Sequence, residues 1–269
     1  MQIGIIAAQG RLPLLIAKEL KEKGFKIATI GLEQLASDEL RDVSDIFQSI
    51  NIGQAGKIID FLKKNNIKEL ILTGKFPKNL IFQREKIKPD LKAMKMLFSA
   101  SLRGDNELLK LIDKELQKEG IKIVEIGKIC PELLTPEGIL TKRKPTKDEW
   151  SDIEYGFKIA KKIGELDIGQ TVVVKEKSVI AVEAIEGTDE TILRAGKYVS
   201  NFTVVKTSKP QQELKLDPPV AGMDTIIIMR EAKASVLAVE AGRSLLVERE
   251  ALIKKANELN IAVVGVSHS

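Results

Sequence analysis

The stretch Ile3-Gly4-Ile5-Ile6-Ala7-Ala8-Gln9-Gly10-Arg11-Leu12-Pro13 governs how the rest of the chain is read. Its apolar start reads as a strand buried on both faces. The chain then turns at Gly10, and from there Leu12, Leu15, Ile16 and Leu20 recur at helical spacing. A strand, a glycine-bearing turn and an amphipathic helix make the first half of a β–α–β unit, whose strands run parallel.

Working outward, Ile27–Ile30, a run near 46–50, Leu70–Thr73 and Ile121–Val124 read as further strands, with helices near 54–65 and 105–119 between them. This alternation predicts an α/β fold that opens with a Rossmann-like parallel-sheet domain. Ligands of such sheets bind beyond the carboxyl ends of the strands. That puts Ala8-Gln9-Gly10-Arg11, Thr73-Gly74-Lys75 and Arg103-Gly104-Asp105 on one rim. The dinucleotide fingerprint itself is broken, because Ala7 stands where the middle glycine belongs and Pro13 falls in the first helical turn. Glu33, some twenty residues on, could cap a ribose. A phosphate or nucleotide at the helix N-terminus and a plain tight turn both remain open readings. No lysine-bearing P-loop follows.

The segment Cys130 to Gly138, and then the basic run Lys142 to Lys147, interrupts the alternation. The domain boundary is drawn between residues 132 and 133, giving domains 1–132 and 133–269. Beyond it, a helix over Asp152–Ile163 precedes two strands, Thr171–Val174 and Ser178–Val182, which flank the polar turn Lys175-Glu176-Lys177 and form a hairpin. Strands near 202–205, 236–239 and 261–264, with helices near 188–196, 219–232 and 248–259, complete a C-terminal mixed α+β domain. Ala181-Val182-Glu183-Ala184 and Ala238-Val239-Glu240-Ala241 echo one another, each ending a strand with a glutamate.

Composition narrows the chemistry. The 269 residues include one cysteine, Cys130, and one histidine, His268. Internal disulfides, multi-cysteine metal sites and a Ser-His-Asp triad are therefore excluded. A bound metal would be held by oxygen, which suits Mg²⁺, Ca²⁺ or Mn²⁺. No apolar run approaches the roughly 20 residues of a spanning helix, and no secretory signal is read at the N-terminus, so a cytoplasmic location is expected. Residues 1–131 carry 23 Lys and Arg against 17 Asp and Glu, whereas 132–269 carry 20 against 21. Much of the excess lies in Lys75, Lys78, Arg84, Lys86, Lys88, Lys92 and Lys95, either a solvated helix face or an attractor of phosphate, an anionic membrane or nucleic acid. With little interleaved aromatic character, the stretch gives no support to nucleic-acid binding.

Two segments gather chemistry in the second half. Glu183-Ala184-Ile185-Glu186-Gly187-Thr188-Asp189 places three carboxylates and a hydroxyl at a strand-to-helix turn, where they either cap the helix or hold Mg²⁺ against a phosphate. Leu216-Asp217-Pro218-Pro219 holds Asp217 extended, since a residue before proline is pushed out of the helical region. That suits a positioned carboxylate and equally a helix N-cap with proline in the first turn.

Gly10-Arg11-Leu12-Pro13, Arg103-Gly104-Asp105-Asn106, Leu134 to Thr141, Leu166 to Gln170, Ala181 to Asp189 and Leu216 to Pro219 together resemble the two-domain, magnesium-dependent UDP-2,3-diacylglucosamine pyrophosphatases of lipid A biosynthesis, over essentially the whole chain. The resemblance implies Mg²⁺-dependent hydrolysis of UDP-2,3-diacylglucosamine to UMP and 2,3-diacylglucosamine 1-phosphate, with water attacking the β-phosphorus. It implies a substrate lying between the two domains and Asp217 as the catalytic and metal-binding carboxylate. The substrate-binding candidates are then Gly10, Arg11, Leu12, Gly74, Lys75, Arg103, Gly104 and Asp105 in the first domain, and Gln170, Glu186, Gly187, Thr188, Asp189 and Lys209 in the second. Peripheral contact with the inner membrane and a homodimer are further expectations. Gln9 and Pro218 depart from the family pattern, where glycine and an aliphatic residue are usual. The competing readings are a non-catalytic nucleotide- or lipid-binding protein and, more weakly, a Rossmann oxidoreductase.

Overall fold

The computed structural model describes residues 1–75, 89–94 and 105–267, with backbone alone for 105–108. By contact the chain divides into two units: Met1–Cys130 with Lys215–Asp217, and Pro131–Leu214 with Pro218–Ser269. The sequence-based boundary puts Asp217 in the second domain. The contacts group it with the first.

In the first unit the order is β1 (Gln2–Ala7), α1 (Leu12–Glu22), β2 (Lys26–Leu32), α2 (Leu40–Val43), β3 (Ile46–Ile50), α3 (Ala55–Lys64), β4 (Glu69–Thr73), α4 (Asp105–Lys118), β5 (Lys122–Ile123) and α5 (Ile126–Ile129). All five strands are parallel in the order β3-β2-β1-β4-β5, with Ile5 opposite Thr29 on one side and Ile71 on the other. β1, β2 and β4 are buried on both faces along nearly their whole length, whereas the edge strand β3 is largely exposed. α1 buries Leu12, Ile16 and Leu20 and packs on β1 and β2. Ile6, Ala28, Ile30, Leu70 and Leu72 instead pack with Leu62 of α3, Leu116 of α4 and Leu216. The order of strands reverses between β1 and β4, where crevices open in sheets of this kind.

In the second unit a 3₁₀ turn (Pro131–Leu133) leads to β6 (Gly138–Ile139), α6 (Lys147–Glu165), β7 (Thr171–Lys175), β8 (Ser178–Val182), α7 (Thr188–Gly196), β9 (Thr203–Lys206), β10 (Val220–Ala221), α8 (Met223–Glu231), β11 (Val236–Glu240), β12 (Leu245–Leu246), α9 (Arg249–Glu258) and β13 (Ala262–Val266). The main sheet runs β6-β13-β11-β9-β7-β8. Its centre, β9, β11 and β13, is parallel, and the flanking pairs are antiparallel. The expected hairpin is β7–β8, turning through left-handed Glu176 and Lys177. The sheet is mixed, yet its central strands alternate with helices instead of segregating from them. α6 opens with a capping box, Thr146 accepting from the Glu149 amide while Glu149 reaches back to the Thr146 amide.

One local expectation is corrected. The helix expected from 219 starts at Met223 with Gly222 as its N-cap, and Pro219 precedes β10. Asp217 therefore caps no helix. Among the described residues, no helix is long and apolar enough to cross a membrane.

Candidate functional site

At the carboxyl end of the first sheet, the loops after β1 and β4 are tied together. The Ala8 amide donates to Thr73 O at 2.9 Å, and the Lys75 amide donates to Gln9 O at 2.7 Å. Gly74 makes this closeness feasible: φ is +99°, and a Cβ there would lie 2.8 Å from the Ala8 carbonyl carbon. Gly10 also has positive φ, +104°, but faces open space. Arg11, exposed, is the N-cap of α1 and provides no side-chain cap, and no acidic residue lies in the first turn. The positive end of the helix thus lies at the rim. Leu12 turns its side chain into the core, leaving its backbone as the group that could meet a ligand. Beside them the hydroxyl of Thr73 is buried with no hydrogen-bond partner among the described residues. Glu33 accepts from Asn51 Nδ2 at 3.2 Å, which ties it to the loop after β3.

Arg103 and Gly104 lie outside the described residues, as do Lys78, Arg84, Lys86, Lys88, Lys95 and His268. Asp105 begins α4. Asp217 is exposed. The residues just before it are anchored in the first unit: Leu216 is buried in the core there, and Lys215 Nζ lies 2.6 Å from Asp113 Oδ2 on α4.

At the carboxyl end of the second sheet, Thr188 is a hub. Gly187 is the N-cap of α7, and Thr188, at its first position, turns its hydroxyl away from capping. Its Oγ1 lies 3.1 Å from Lys206 Nζ, 3.2 Å from Thr171 Oγ1 and 3.3 Å from Glu183 Oε1. The ammonium can only donate and the carboxylate only accepts, so the Thr188 proton points to Glu183 and Thr171 donates to Thr188. Lys206 also donates to Val220 O at 2.7 Å. Both charged groups are buried, Lys206 at 7% exposure and Glu183 at 5%. The Gln170 amide approaches Glu183 Oε2 at 3.4 Å. Glycine is obligatory at 169, where a Cβ would fall 2.0 Å from Glu183 O.

Glu186 is engaged differently. It accepts from Arg194 at 2.8 Å and from the Ala184 amide at 3.2 Å. Burial would push its carboxyl up, but its own amide, Arg194 and the Ala184 amide outweigh burial and hold it below the usual glutamate range. Asp189 lies in the first turn of α7. Lys209, buried, pairs with Asp167 at 2.5 Å and takes its backbone position from Gln212, which accepts the Lys209 amide. Among the described residues, no three carboxylate, histidine or cysteine side chains come together as a metal cage. The structure thus leaves Glu183, Glu186 and Asp189 ungathered.

Sequence reasoning singled out no role for Lys206, or for the network next to it. Glu240, at the end of β11, accepts from Lys161 at 2.7 and 2.8 Å and from the Ser208 amide and hydroxyl at 2.7 and 2.8 Å, while Arg243 donates to Ser208 Oγ at 2.8 Å. A signal existed. The echo of Glu183 and Glu240 marks two buried carboxylates at strand ends, and Thr203-Val204-Val205-Lys206 closes an apolar strand with a charge.

The fold and both rims define an α/β protein of two units, each presenting cations, hydroxyls or helix amides at the carboxyl end of a sheet. The chain belongs to the LpxI family: the LpxI N-terminal domain matches residues 2–133 and the LpxI C-terminal domain residues 136–264. A relative from Caulobacter vibrioides, "UDP-2,3-diacylglucosamine pyrophosphatase LpxI", is 33% identical over 277 aligned positions, covering 98% of this chain and 97% of its own. Among solved structures, N5-carboxyaminoimidazole ribonucleotide synthetase from Thermotoga maritima aligns at 19% identity over 68% of this chain and 40% of its own, with a TM-score of 0.25. Biotin carboxylase from Campylobacter jejuni aligns at 14% identity over 72% and 41%, also with a TM-score of 0.25. Scores at that level bear on neither fold nor function.

Proposed function

We propose that this chain hydrolyses UDP-2,3-diacylglucosamine to UMP and 2,3-diacylglucosamine 1-phosphate in lipid A biosynthesis, with water attacking the β-phosphorus. The observation that carries the reading is the family match along both units, with a pyrophosphatase relative aligned from end to end. The local chemistry agrees with it. Phosphoryl chemistry needs charge neutralised at fixed positions and a group that orients water. In the first unit the uncapped start of α1, with Gly10, Arg11, Gly74 and Lys75 around it, suits a phosphate, and the strand order 3-2-1-4-5 supports a Rossmann-like reading of that unit. In the second, Lys206 and Thr188 supply a fixed cation and hydroxyl. Gln170 and Lys209 stand on the same rim.

Asp217 is the catalytic carboxylate in this reading. It is exposed, precedes Pro218, which disfavours a helical backbone at that residue, and caps no helix, so its oxygens are suited to orient a water or accept its proton. Asp217, an exposed carboxylate, fits Mg²⁺ of the kind bound by one carboxylate, waters and substrate phosphates. When bound, Mg²⁺ supplies neutralisation of the diphosphate charge, with Asp217 as its protein ligand. A substrate carrying two acyl chains also argues for peripheral contact with the inner membrane.

The test is hydrolysis of UDP-2,3-diacylglucosamine in ¹⁸O-labelled water, with Asp217→Asn beside the wild type. Label is expected in the sugar phosphate, and Asp217→Asn is expected to stay folded and lose turnover. Label in UMP would overturn the direction of attack, full activity of Asp217→Asn would overturn its role, and no turnover by the wild type would overturn the reading.

A further inference from the structure

Asp217 is grouped with the first unit although the chain on both sides of it is grouped with the second. Leu214 and everything from Pro218 onward cluster with the second unit, and only Lys215, Leu216 and Asp217 cluster with the first. A three-residue excursion reaches roughly 10 Å at full extension. Such a short segment holds a position only if its own side chains anchor it.

Two of them do. Leu216 is 7% exposed, among Leu62 of α3, Leu116 of α4 and the sheet residues Leu70 and Leu72. Lys215 Nζ lies 2.6 Å from Asp113 Oδ2, an oxygen that also accepts from Gln117 Nε2 at 2.7 Å. Asp113 is 6% exposed and its Oδ1 is buried with no hydrogen-bond partner among the described residues. A carboxylate so placed depends on its cation, since a lone buried charge is costly. After Asp217 the chain is fastened within the second unit, where Pro219 O accepts from the Leu245 amide at 2.8 Å and Val220 O accepts from Lys206.

We propose that Leu216 and the Lys215–Asp113 pair are positioning residues for Asp217: they fix the carboxylate to the first unit. This rests on the reading of Asp217 as the catalytic carboxylate. None of the three needs to touch substrate. Their effect is on how often the carboxylate stands in its productive place, and a misplacement of about 1 Å costs on the order of 10²-fold in rate.

The experiment compares kcat and KM of the full chain carrying Lys215→Met, Lys215→Arg, Leu216→Ala or Asp217→Asn, together with UMP affinity and the thermal midpoint of each. Lys215→Met and Leu216→Ala are expected to lower kcat by about 10²-fold with KM and UMP affinity little changed, and Lys215→Arg to recover most of the loss. Should Leu216→Ala fail to fold, Lys215→Met against Lys215→Arg carries the comparison. If Asp217→Asn is inactive while Lys215→Met and Leu216→Ala turn over at the wild-type rate, the positioning role is overturned and the reading of Asp217 stands. A loss in Lys215→Met that Lys215→Arg does not recover, or that appears in KM and UMP affinity alone, also overturns it. Wild-type turnover by Asp217→Asn instead overturns the catalytic reading beneath it.

Discussion

Lys206 and Thr188 stand 18 positions apart in the chain, yet the Lys206 ammonium donates to the Thr188 hydroxyl at 3.1 Å. The contact joins the end of β9 to the first turn of α7 and, through the Thr188 proton, reaches Glu183. A buried cation and a buried carboxylate are thus linked by one hydroxyl whose direction both of them fix.

Thr188→Val keeps the shape and removes that hydroxyl. With the proposed phosphate site disrupted, kcat/KM is expected to fall on the order of 10²-fold, while Thr188→Ser stays within a few-fold. UMP release under first-order conditions measures both. Equal rates for Thr188→Val and the wild type would remove the hub from the site.

Gly74 and Gly10 share positive φ and differ in space. Gly10→Ala meets only the left-handed penalty and is expected to cost roughly 1–2 kcal/mol. Gly74→Ala adds a contact with the Ala8 backbone and is expected to cost more, and to lower activity by parting the two loops. Urea midpoints at constant m-value give the ranking; equal midpoints would show that the loops are not clamped at Gly74.

Glu149 links three partners: Arg143 at 2.6 Å, the Thr146 amide at 2.8 Å and the Ser235 hydroxyl at 2.7 Å. Burial raises its carboxyl pKa, but these partners outweigh burial and hold it below the ordinary value. A group whose folded pKa is depressed stabilises the fold above its unfolded pKa, about 4.3 for glutamate, and loses that contribution as pH falls through the folded value. Stability against urea should therefore drop below about pH 4.3, with a smaller drop in Glu149→Gln over the same interval. An identical acid slope in both proteins would remove Glu149 as a source of it.

Removal of divalent cations with a chelator is expected to abolish turnover, and Mg²⁺ to restore it, while the thermal midpoint without substrate stays where it was. Under the proposed reading the metal is held by Asp217, water and substrate phosphates, and a metal so held contributes to the reaction and not to the fold. A chelator-induced fall in midpoint would instead reveal a structural site.

Much of the fold was legible because it is local. The period of Leu12, Ile16 and Leu20, the apolar runs at 27–30 and 70–73, and the turn at Lys175–Lys177 each specify their element from neighbouring residues. Short strands escaped: β10 and β12 are two residues each and are defined by pairing with one another, Val220 opposite Leu245. The helix start near 219 was misplaced for a related reason. Asp-Pro-Pro is a good N-terminal signal by composition, but the Leu245 amide binds Pro219 O and holds that stretch extended.

The sequence by itself determined most of the longer elements, the parallel first sheet and the rim loops, since these follow from backbone preference, periodicity and side-chain type. Tertiary structure decided the rest. It kept Glu183 and Glu186, close in the chain, from sharing a site, because Glu183 accepts from Thr188 and Glu186 from Arg194. It joined Lys206 to Thr188 and Lys161 to Glu240, contacts that tie a helix residue to a strand end 18 and 79 positions away and that no local pattern specifies. It also grouped Asp217 with the first unit, since burying Leu216 and pairing Lys215 with Asp113 depend on surfaces a hundred residues away in the chain.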